Sequence, residues 1–583
     1  MKYGKFIVVA EKPSVARKIR EVLRSKGINA VVTSTRGHIM DSELPKGFEW
    51  GRIDPLKIFS LEKLDMVIRD RKTYNELKRV FRSTPGILVI ATDNDSEGEL
   101  IGYEILRIYQ SIRDNAPFKR MRFNSVDPNE LWRAWNNLEN DLNWRWVFKA
   151  MFRQNFDLVT GAAFTRLLTE LARKHSRVRL VSWGSCQTPT LYFVVERERE
   201  IESFIPKPYW YFQAEVRVGL YMFTLRSERI WDEKKAKELY EKLKSVKYGV
   251  IRDYIENVGI VKRPLPIMTD YLLVDLVKIT KLSASRILNL AEELYSEGYI
   301  SYPRTETDKY SPDFNFSTPL QAVLNSAIGD VRRYLISTPN PRNGRHDDKA
   351  HPPIYPIRPY PIDNGHKWVI WEYIARRFVA NAYSRDAKIV HQGITALIGE
   401  IEFKASGMRF EQEGFYRVFP YFKPKENPLP YLPEGTRIEV ISIKMRKGKT
   451  QPPKRYSEAD LLSLLAKHGI GTDATRATFP KIILDRKYAI KKKGKFVPTA
   501  LGKKFIEALE VVDKKLVTPD TRRYVEALMK DIENGKIMMN DAFKKAVREY
   551  KKLFEECIKE CSRISDKLKE GITNTVSNDA KNP

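Results

Sequence analysis

Residues 86–99 read Gly-Ile-Leu-Val-Ile-Ala-Thr-Asp-Asn-Asp-Ser-Glu-Gly-Glu, so a short apolar run ends in carboxylates and leads into the helix-spaced apolar residues Leu100, Ile101, Ile105 and Leu106. This pattern predicts a buried strand followed by a helix in an α/β sheet. Ligands of such sheets sit beyond the carboxyl ends of the strands. Asp93 and Asp95, two apart in extended chain, point the same way. Their mutual repulsion is relieved by a hard cation, and Mg²⁺ takes oxygen ligands and bridges to phosphate. The alternative is helix capping at the positive end of the helix dipole, and Glu97 and Glu99 need do no more than that. The first apolar run, Phe6 to Ala10, ends in Glu11-Lys12-Pro13-Ser14, where Pro13 forces Lys12 into extended geometry. Beside the acidic pair, Glu11 and Lys12 would supply a proton-transfer group and a phosphate contact. Taken alone, a Glu-Lys pair is more often solvated loop.

This acidic cluster sits in a basic chain. Lys and Arg number 103 against 74 acids, a formal net charge of +29, which points to a polyanionic partner, nucleic acid ahead of anionic membrane. No apolar run approaches the roughly 18 residues that span a bilayer. The N-terminus enters a strand pattern without a signal peptide, so the expected location is cytoplasmic, nucleoid-associated in a prokaryote. Cys186, Cys557 and Cys561 cannot build a disulfide framework or a four-cysteine zinc ribbon. Cys557 and Cys561 are expected on one helix face.

At 583 residues the chain has room for roughly three to five domains. Residues 1–112 alternate strands and helices, 128–200 are helical, and 205–260 and about 388–445 are strand-rich. The remainder is helical, with a basic hairpin at Tyr488 to Thr499 around Lys493-Gly494 and a polar, disordered tail. The two β blocks form either one discontinuous domain or two small ones. Between them, a helix with Ile287, Leu290 and Leu294 on one face ends at Gly298, and Tyr302-Pro303-Arg304 follows in extended chain. Arg304 should project from the side of Tyr302. A phenol attacking a phosphodiester needs its proton removed and the phosphate charge neutralised, and a guanidinium does the second. By pattern alone, Tyr-Pro-Arg is more often a turn. Tyr295 and Tyr299 read as core or helix-end packing. Gly448-Lys449-Thr450 is no P-loop, because Ile443 stands where the first glycine is required.

Together these segments resemble one family. Glu11-Lys12-Pro13-Ser14 and Asp93-Asn94-Asp95-Ser96-Glu97-Gly98-Glu99 are similar to the signatures of a TOPRIM domain, and Ile300-Ser301-Tyr302-Pro303-Arg304-Thr305 resembles the active-site motif of type IA DNA topoisomerases. Ser182 to Leu191, Asp348 to Ile354 and Gly469 to Ala477 match further family motifs in order, and the wording is most similar to topoisomerase III.

The resemblance implies a multidomain α/β, α and β chain forming a toroidal ring. Its parts would be a Rossmann-like TOPRIM domain (1–145), a helical, winged-helix-like base (146–202 and 446–565), a β-rich arch (203–260 and 365–445) and a helical tyrosine domain (261–364), with a disordered tail at 566–583. It implies ATP-independent, Mg²⁺-dependent cleavage of one strand through a 5′-phosphotyrosyl link, then strand passage and religation. Tyr302 would be the nucleophile, Arg304 and Lys12 the phosphate contacts and Glu11 the general acid; Asp93, Asp95 and Glu97, with Glu11, would hold Mg²⁺. His351, Gln187, Thr472, Asp473, Thr475 and Arg476 would meet DNA. Ser185 stands in the same groove where the family often has arginine, so that contact does not carry over. Implied partners are single-stranded DNA and negatively supercoiled or catenated duplex, with RNA left open, a helicase or single-strand binding protein as an associate, no membrane and a monomeric chain. A TOPRIM primase or nuclease would share the acids without needing the tyrosine, and a non-catalytic single-strand binder would need neither.

Overall fold

The computed structural model describes residues 6–61, 63–363, 365–472 and 475–579. The N-terminal unit is built on a parallel sheet. Strand β1 (Phe6–Ala10) is followed by helix α1 (Pro13–Ser25) and β2 (Ala30–Ser34); β3 (Ile87–Ala91) leads into α2 (Ser96–Gln110), and β4 (Phe118–Arg120) closes the order β2-β1-β3-β4. The apolar runs of β1 and β3 are buried because helices cover both faces of the sheet. Ala10 pairs with Ala91, so the two strands end level and Glu11 emerges beside Thr92 and Asp93.

Arg120 locks that end. Its guanidinium has no exposed surface and bonds Glu99 Oε1 at 2.8 Å and the carbonyls of Thr92 (2.9 Å), Asp93 (2.8 Å) and Met121 (2.7 Å). Gly98 completes the turn: a Cβ there would lie 2.1 Å from the Asp93 carbonyl oxygen, so no side chain fits.

Helix α3 (Trp144–Arg173) runs from the sheet into the base, where α4 (Gln187–Glu202) precedes the barrel. The barrel takes strands from both β blocks. β5 (Pro208–Val218), β6 (Tyr221–Ser227) and β7 (Tyr248–Val261) join β8 (Ala387–Ile398), β9 (Ile401–Gln412) and β10 (Arg437–Lys449) in the closed order β8-β9-β6-β5-β10-β7. The two blocks are therefore one discontinuous barrel, and helix α5 (Ala284–Glu297), which leads to Tyr302, lies in the insert between them.

Two boundaries differ from expectation. Helix 366–382, assigned to the arch with 365–445, packs instead with the tyrosine segment: Ile370, Trp371, Ile374 and Phe378 share a core with Leu272, Ile287 and Leu294. The tail expected to be disordered from 566 is helical through Asp579, in helix Cys561–Asp579. Ile564, Leu568 and Ile572 recur at helical spacing there and are buried, a pattern hidden within a polar composition. Cys557 and Cys561 do not share a helix, since one ends at Lys559 and the next starts at Cys561. The Lys493-Gly494 hairpin forms as expected, with both turn residues left-handed.

Arg120→Met would take the guanidinium from three carbonyls and leave Glu99 with only Arg122 and the Asn143 N–H at a buried site. We expect a loss on the order of 3–5 kcal/mol, read from hydrogen exchange of the β3 amides. A loss under about 1 kcal/mol would show that Arg120 does not carry the strand end.

Candidate active site

The end of β3 presents its acids in different directions. Asp95 caps α2 with Oδ1, which accepts from the Gly98 N–H at 2.7 Å. Its other oxygen accepts the Tyr302 hydroxyl at 2.6 Å. Capping and catalysis are therefore not alternatives at this residue. Glu11 accepts the Asp93 N–H at 3.2 Å, and Lys12 Nζ lies 3.0 Å from Asp93 Oδ2 and 3.8 Å from Glu292.

The second domain supplies the tyrosine. The Tyr302 amide donates to the Asn124 carbonyl at 2.9 Å, and Asn94 and Asn124 side chains donate to the Ala350 carbonyl at 3.4 and 3.2 Å. Tyr302 is 2 % exposed, edge-on to Tyr295, with the His351 ring 5.1 Å away. Arg304 bonds Glu292 through Nε at 2.8 Å, with Nη1 4.0 Å from Asp95. His351 Nδ1 is held by Asp348 at 3.1 Å.

The electrostatics follow from this crowding. Burial and the neighbouring Asp93 and Asp95 outweigh Lys12 and push the Glu11 carboxyl up to about 8, so it carries its proton at neutral pH. Burial also raises Asp95, but Arg304, the Tyr302 hydroxyl and the Gly98 N–H outweigh it and hold Asp95 below the usual carboxylate range. Tyr302 is raised well above an ordinary phenol by burial and by Asp95 and Asp93, with Arg304 opposing. Burial would lower Lys12, but Asp93, Glu11 and Glu292 keep it firmly charged.

Glu97 behaves differently. It pairs with Arg153 at 2.8 Å and His38 at 3.3 Å, and is thus turned toward cations of its own. Among the described residues no group of three or more potential ligands is already arranged around a metal. Glu11, Asp93 and Asp95 are nonetheless near enough that both aspartates raise the Glu11 carboxyl, and all three offer oxygen only. Mg²⁺ needs one or two carboxylates with water and phosphate, so Asp93 and Asp95 fit it.

A family model described as DNA topoisomerase matches residues 141–544, and one described as Toprim domain matches residues 6–126. The chain belongs to the type IA DNA topoisomerases. Its relatives include DNA topoisomerase 3 of Caenorhabditis elegans (32% identical, covering 92% of this chain and 73% of that one) and of Candidozyma auris (31%, covering 96% and 95%). DNA topoisomerase 1 of Pyrococcus horikoshii is 32% identical over 94% of this chain and 84% of its own. The fold matches full-length topoisomerase I of Thermotoga maritima with a TM-score of 0.73 at 21% identity, covering 94% of this chain and 89% of that one. Within the family the sequence is like topoisomerase III, and its Toprim domain is of a metal-binding kind.

In this topoisomerase the residues expected to line the strand groove are engaged within the protein. Gln187 donates to the Ser182 carbonyl at 3.0 Å, and buried Ser185 bonds Asp157 and Arg522, each at 2.9 Å. Arg476 bonds Asp270 at 2.6 Å and the Gly471 carbonyl at 2.7 Å. The Thr472 amide donates to Thr475 Oγ1 at 3.0 Å, and Asp473 lies outside the described residues. Sequence reasoning missed Glu292, Arg153 and His38, while Tyr295, expected as core packing, is fully buried there and donates its hydroxyl to Asp93 Oδ1 at 3.4 Å. Glu292, three before Tyr295 on α5, was legible as a polar group near the buried face of that helix; His38 carried no signal.

His38 yields a pH test. Burial would lower its pKa, but Glu104 at 2.7 Å and Glu97 raise it to about 10. A folded pKa above the unfolded one stabilises fully below about pH 6.5, and the contribution is lost as pH rises through about 10. His38→Gln should cost on the order of 1–2 kcal/mol at pH 6, allowing for screening of a partly exposed ring, and little at pH 10. Thermal melts across that range check it, and a pH-independent difference would contradict it.

Proposed function

We propose that Tyr302 attacks a phosphodiester of one DNA strand to give a 5′-phosphotyrosyl link, and that this link reseals the strand after another has passed. The observation that carries the reading is the 2.6 Å contact between the Tyr302 hydroxyl and Asp95, which sets the tyrosine of one domain among the acids of another. The phenol oxygen forms a bond to phosphorus and the bond to the 3′-oxygen breaks. The hydroxyl proton has an acceptor at hydrogen-bond distance in Asp95. Glu11, protonated at neutral pH, supplies the proton that the leaving 3′-oxygen needs. Arg304 and Lys12 take the phosphate charge in exchange for Glu292 and Asp93, their present partners. His351, its ring tilted 31° to that of Tyr302, orients the tyrosine or meets the backbone.

Asp93 and Asp95 would hold Mg²⁺, which when bound supplies positive charge beside the phosphate. Glu97 would join only by leaving Arg153 and His38. The ester keeps the energy of the broken bond, so resealing needs no ATP. Passage requires the Tyr302–Asp95, Tyr302–Asn124 and Ala350 contacts to part, a hinge motion on the μs–ms scale or slower. The substrates are single-stranded DNA and negatively supercoiled or catenated duplex with unpaired regions.

The test incubates a single-stranded oligonucleotide, labelled at either end, with protein and Mg²⁺ before a denaturing quench. Protein should link to the new 5′-phosphate end, on the fragment that keeps the 3′ label, Tyr302→Phe should form no adduct, and Arg304→Ala should slow cleavage on the order of 10²–10³-fold. Cleavage that persists in Tyr302→Phe without an adduct would identify a TOPRIM nuclease instead.

A further inference from the structure

The outer face of the barrel carries a pattern that the cleavage chemistry does not use. On β5, Trp210, Phe212, Ala214 and Val216 are buried, while the alternate residues Tyr209, Tyr211 and Gln213 are not. Across β10 their partners are Gly448, Arg446 and Lys444; across β6, Arg226 pairs with Gln213. Gly448, left over from the rejected nucleotide motif, gains a role here. A Cβ at Gly448 would lie 2.5 Å from the Tyr209 ring, so its absence lets that ring lie flat across the sheet.

Three aromatic rings cluster on this face. Tyr209 lies 6.2 Å from Tyr211 and 5.7 Å from Trp231, which is 55 % exposed. Arg229 sits 4.5 Å from the Tyr209 ring and Arg226 5.9 Å from the Tyr211 ring. Arg226, Arg229, Lys444 and Arg446 are exposed, and among the described residues none has a carboxylate within ion-pair distance. The nearby acids are otherwise engaged: Glu228 pairs with Lys404, Asp232 caps a helix, and Glu215, next along this face of β5, accepts the Ser442 hydroxyl at 3.2 Å.

We propose that this face is an accessory binding site for single-stranded DNA, separate from the groove that feeds Tyr302. The partly exposed Tyr209 and Tyr211 rings and the exposed Trp231, flanked by guanidinium groups that no carboxylate neutralises, can stack unpaired bases while the cations take phosphates. Duplex DNA hides its base faces and gains nothing from the tyrosines, so the single strand is the better fit. The site stands at the foot of the barrel, where Lys207 and Thr450 bond each other as the chain enters β5 and leaves β10. Helix α4, roughly 24 Å long at 1.5 Å per residue, leads from Gln187 toward it. A strand held here is one other than the strand being cut. The proposal thus rests on the strand-passage reading for its purpose, but not for its chemistry.

The test is done on the full chain carrying Tyr302→Phe, so that binding is read without cleavage. Labelled oligo(dT) of about ten nucleotides, within the span of one single-strand site, is titrated by fluorescence anisotropy. The parent should bind two equivalents. Tyr209→Ala/Tyr211→Ala should weaken one of them at least about tenfold. Arg226→Ala/Arg229→Ala, confined to exposed side chains and so without risk to folding, should weaken the same equivalent and flatten its salt dependence. With Tyr302 restored, both double variants should cleave the short oligonucleotide within about twofold of the parent and relax plasmid more slowly. One equivalent in the parent, unchanged binding in both variants, or competition by duplex equal to that by oligo(dT) would overturn the proposal. So would loss of short-oligonucleotide cleavage in the arginine variant, which would place this face in the catalytic groove. If the parent with Tyr302 intact cuts nothing, the cleavage reading fails, while the binding stoichiometry still reports on this site.

Discussion

Arg120 has no access to water, so its charge must be met inside the protein, and Glu99 together with the Thr92, Asp93 and Met121 carbonyls meets it. The Thr92 and Asp93 carbonyls belong to the segment that carries the acids, so neutralising the arginine and aiming the carboxylates are one interaction. Gly98 lets α2 begin directly against Asp93, and the paired ends of β1 and β3 bring Glu11 alongside. The acids crowd because the backbone beneath them cannot yield. That crowding keeps Glu11 protonated at neutral pH, while Arg304, the Tyr302 hydroxyl and the Gly98 N–H hold Asp95 ionised.

The other half of the site comes from a different part of the chain, across a junction of another kind. Tyr302 and its loop meet the N-terminal domain through polar contacts, namely the Asn124 carbonyl, the Asn94 and Asn124 amides on Ala350, and Asp95, beside an apolar core in which Phe123 and Val126 are buried with Leu294, Tyr295 and Tyr302. Each such bond contributes on the order of 1 kcal/mol net, because water replaces it when it breaks. The polar bonds therefore add little to holding the two parts together, and parting them for passage must also expose the apolar core they share. Lys12 reaches across the same junction to Glu292, which also holds Arg304.

Much of this was legible before any coordinates. An apolar run ending in Asp-x-Asp specified strand, turn and helix, and Tyr302 before proline read as extended chain. The barrel was not legible, because β5–β7 and β8–β10 pair across more than a hundred residues, and periodicity reports faces rather than partners. The C-terminal helix was missed because Ile564, Leu568 and Ile572 are thinly spread among polar residues. Glu97 read as one more acid of the cluster, and only its distant partners Arg153 and His38 reveal how it is turned. Ser185 read as a missing arginine, whereas a guanidinium does stand there, contributed by Arg522 from another helix and directed inward.

The central claim is that the scissile phosphate lies between the platform and the tyrosine loop. A crystal structure of Tyr302→Phe bound to a single-stranded oligonucleotide with Mg²⁺ tests it most directly. The account predicts a backbone phosphate within hydrogen-bond reach of Arg304 and Lys12, the 3′-oxygen facing Glu11, and the metal on Asp93 and Asp95. A strand bound with no phosphate near Arg304, or a metal on Glu97 with Asp93 and Asp95 unengaged, would contradict it.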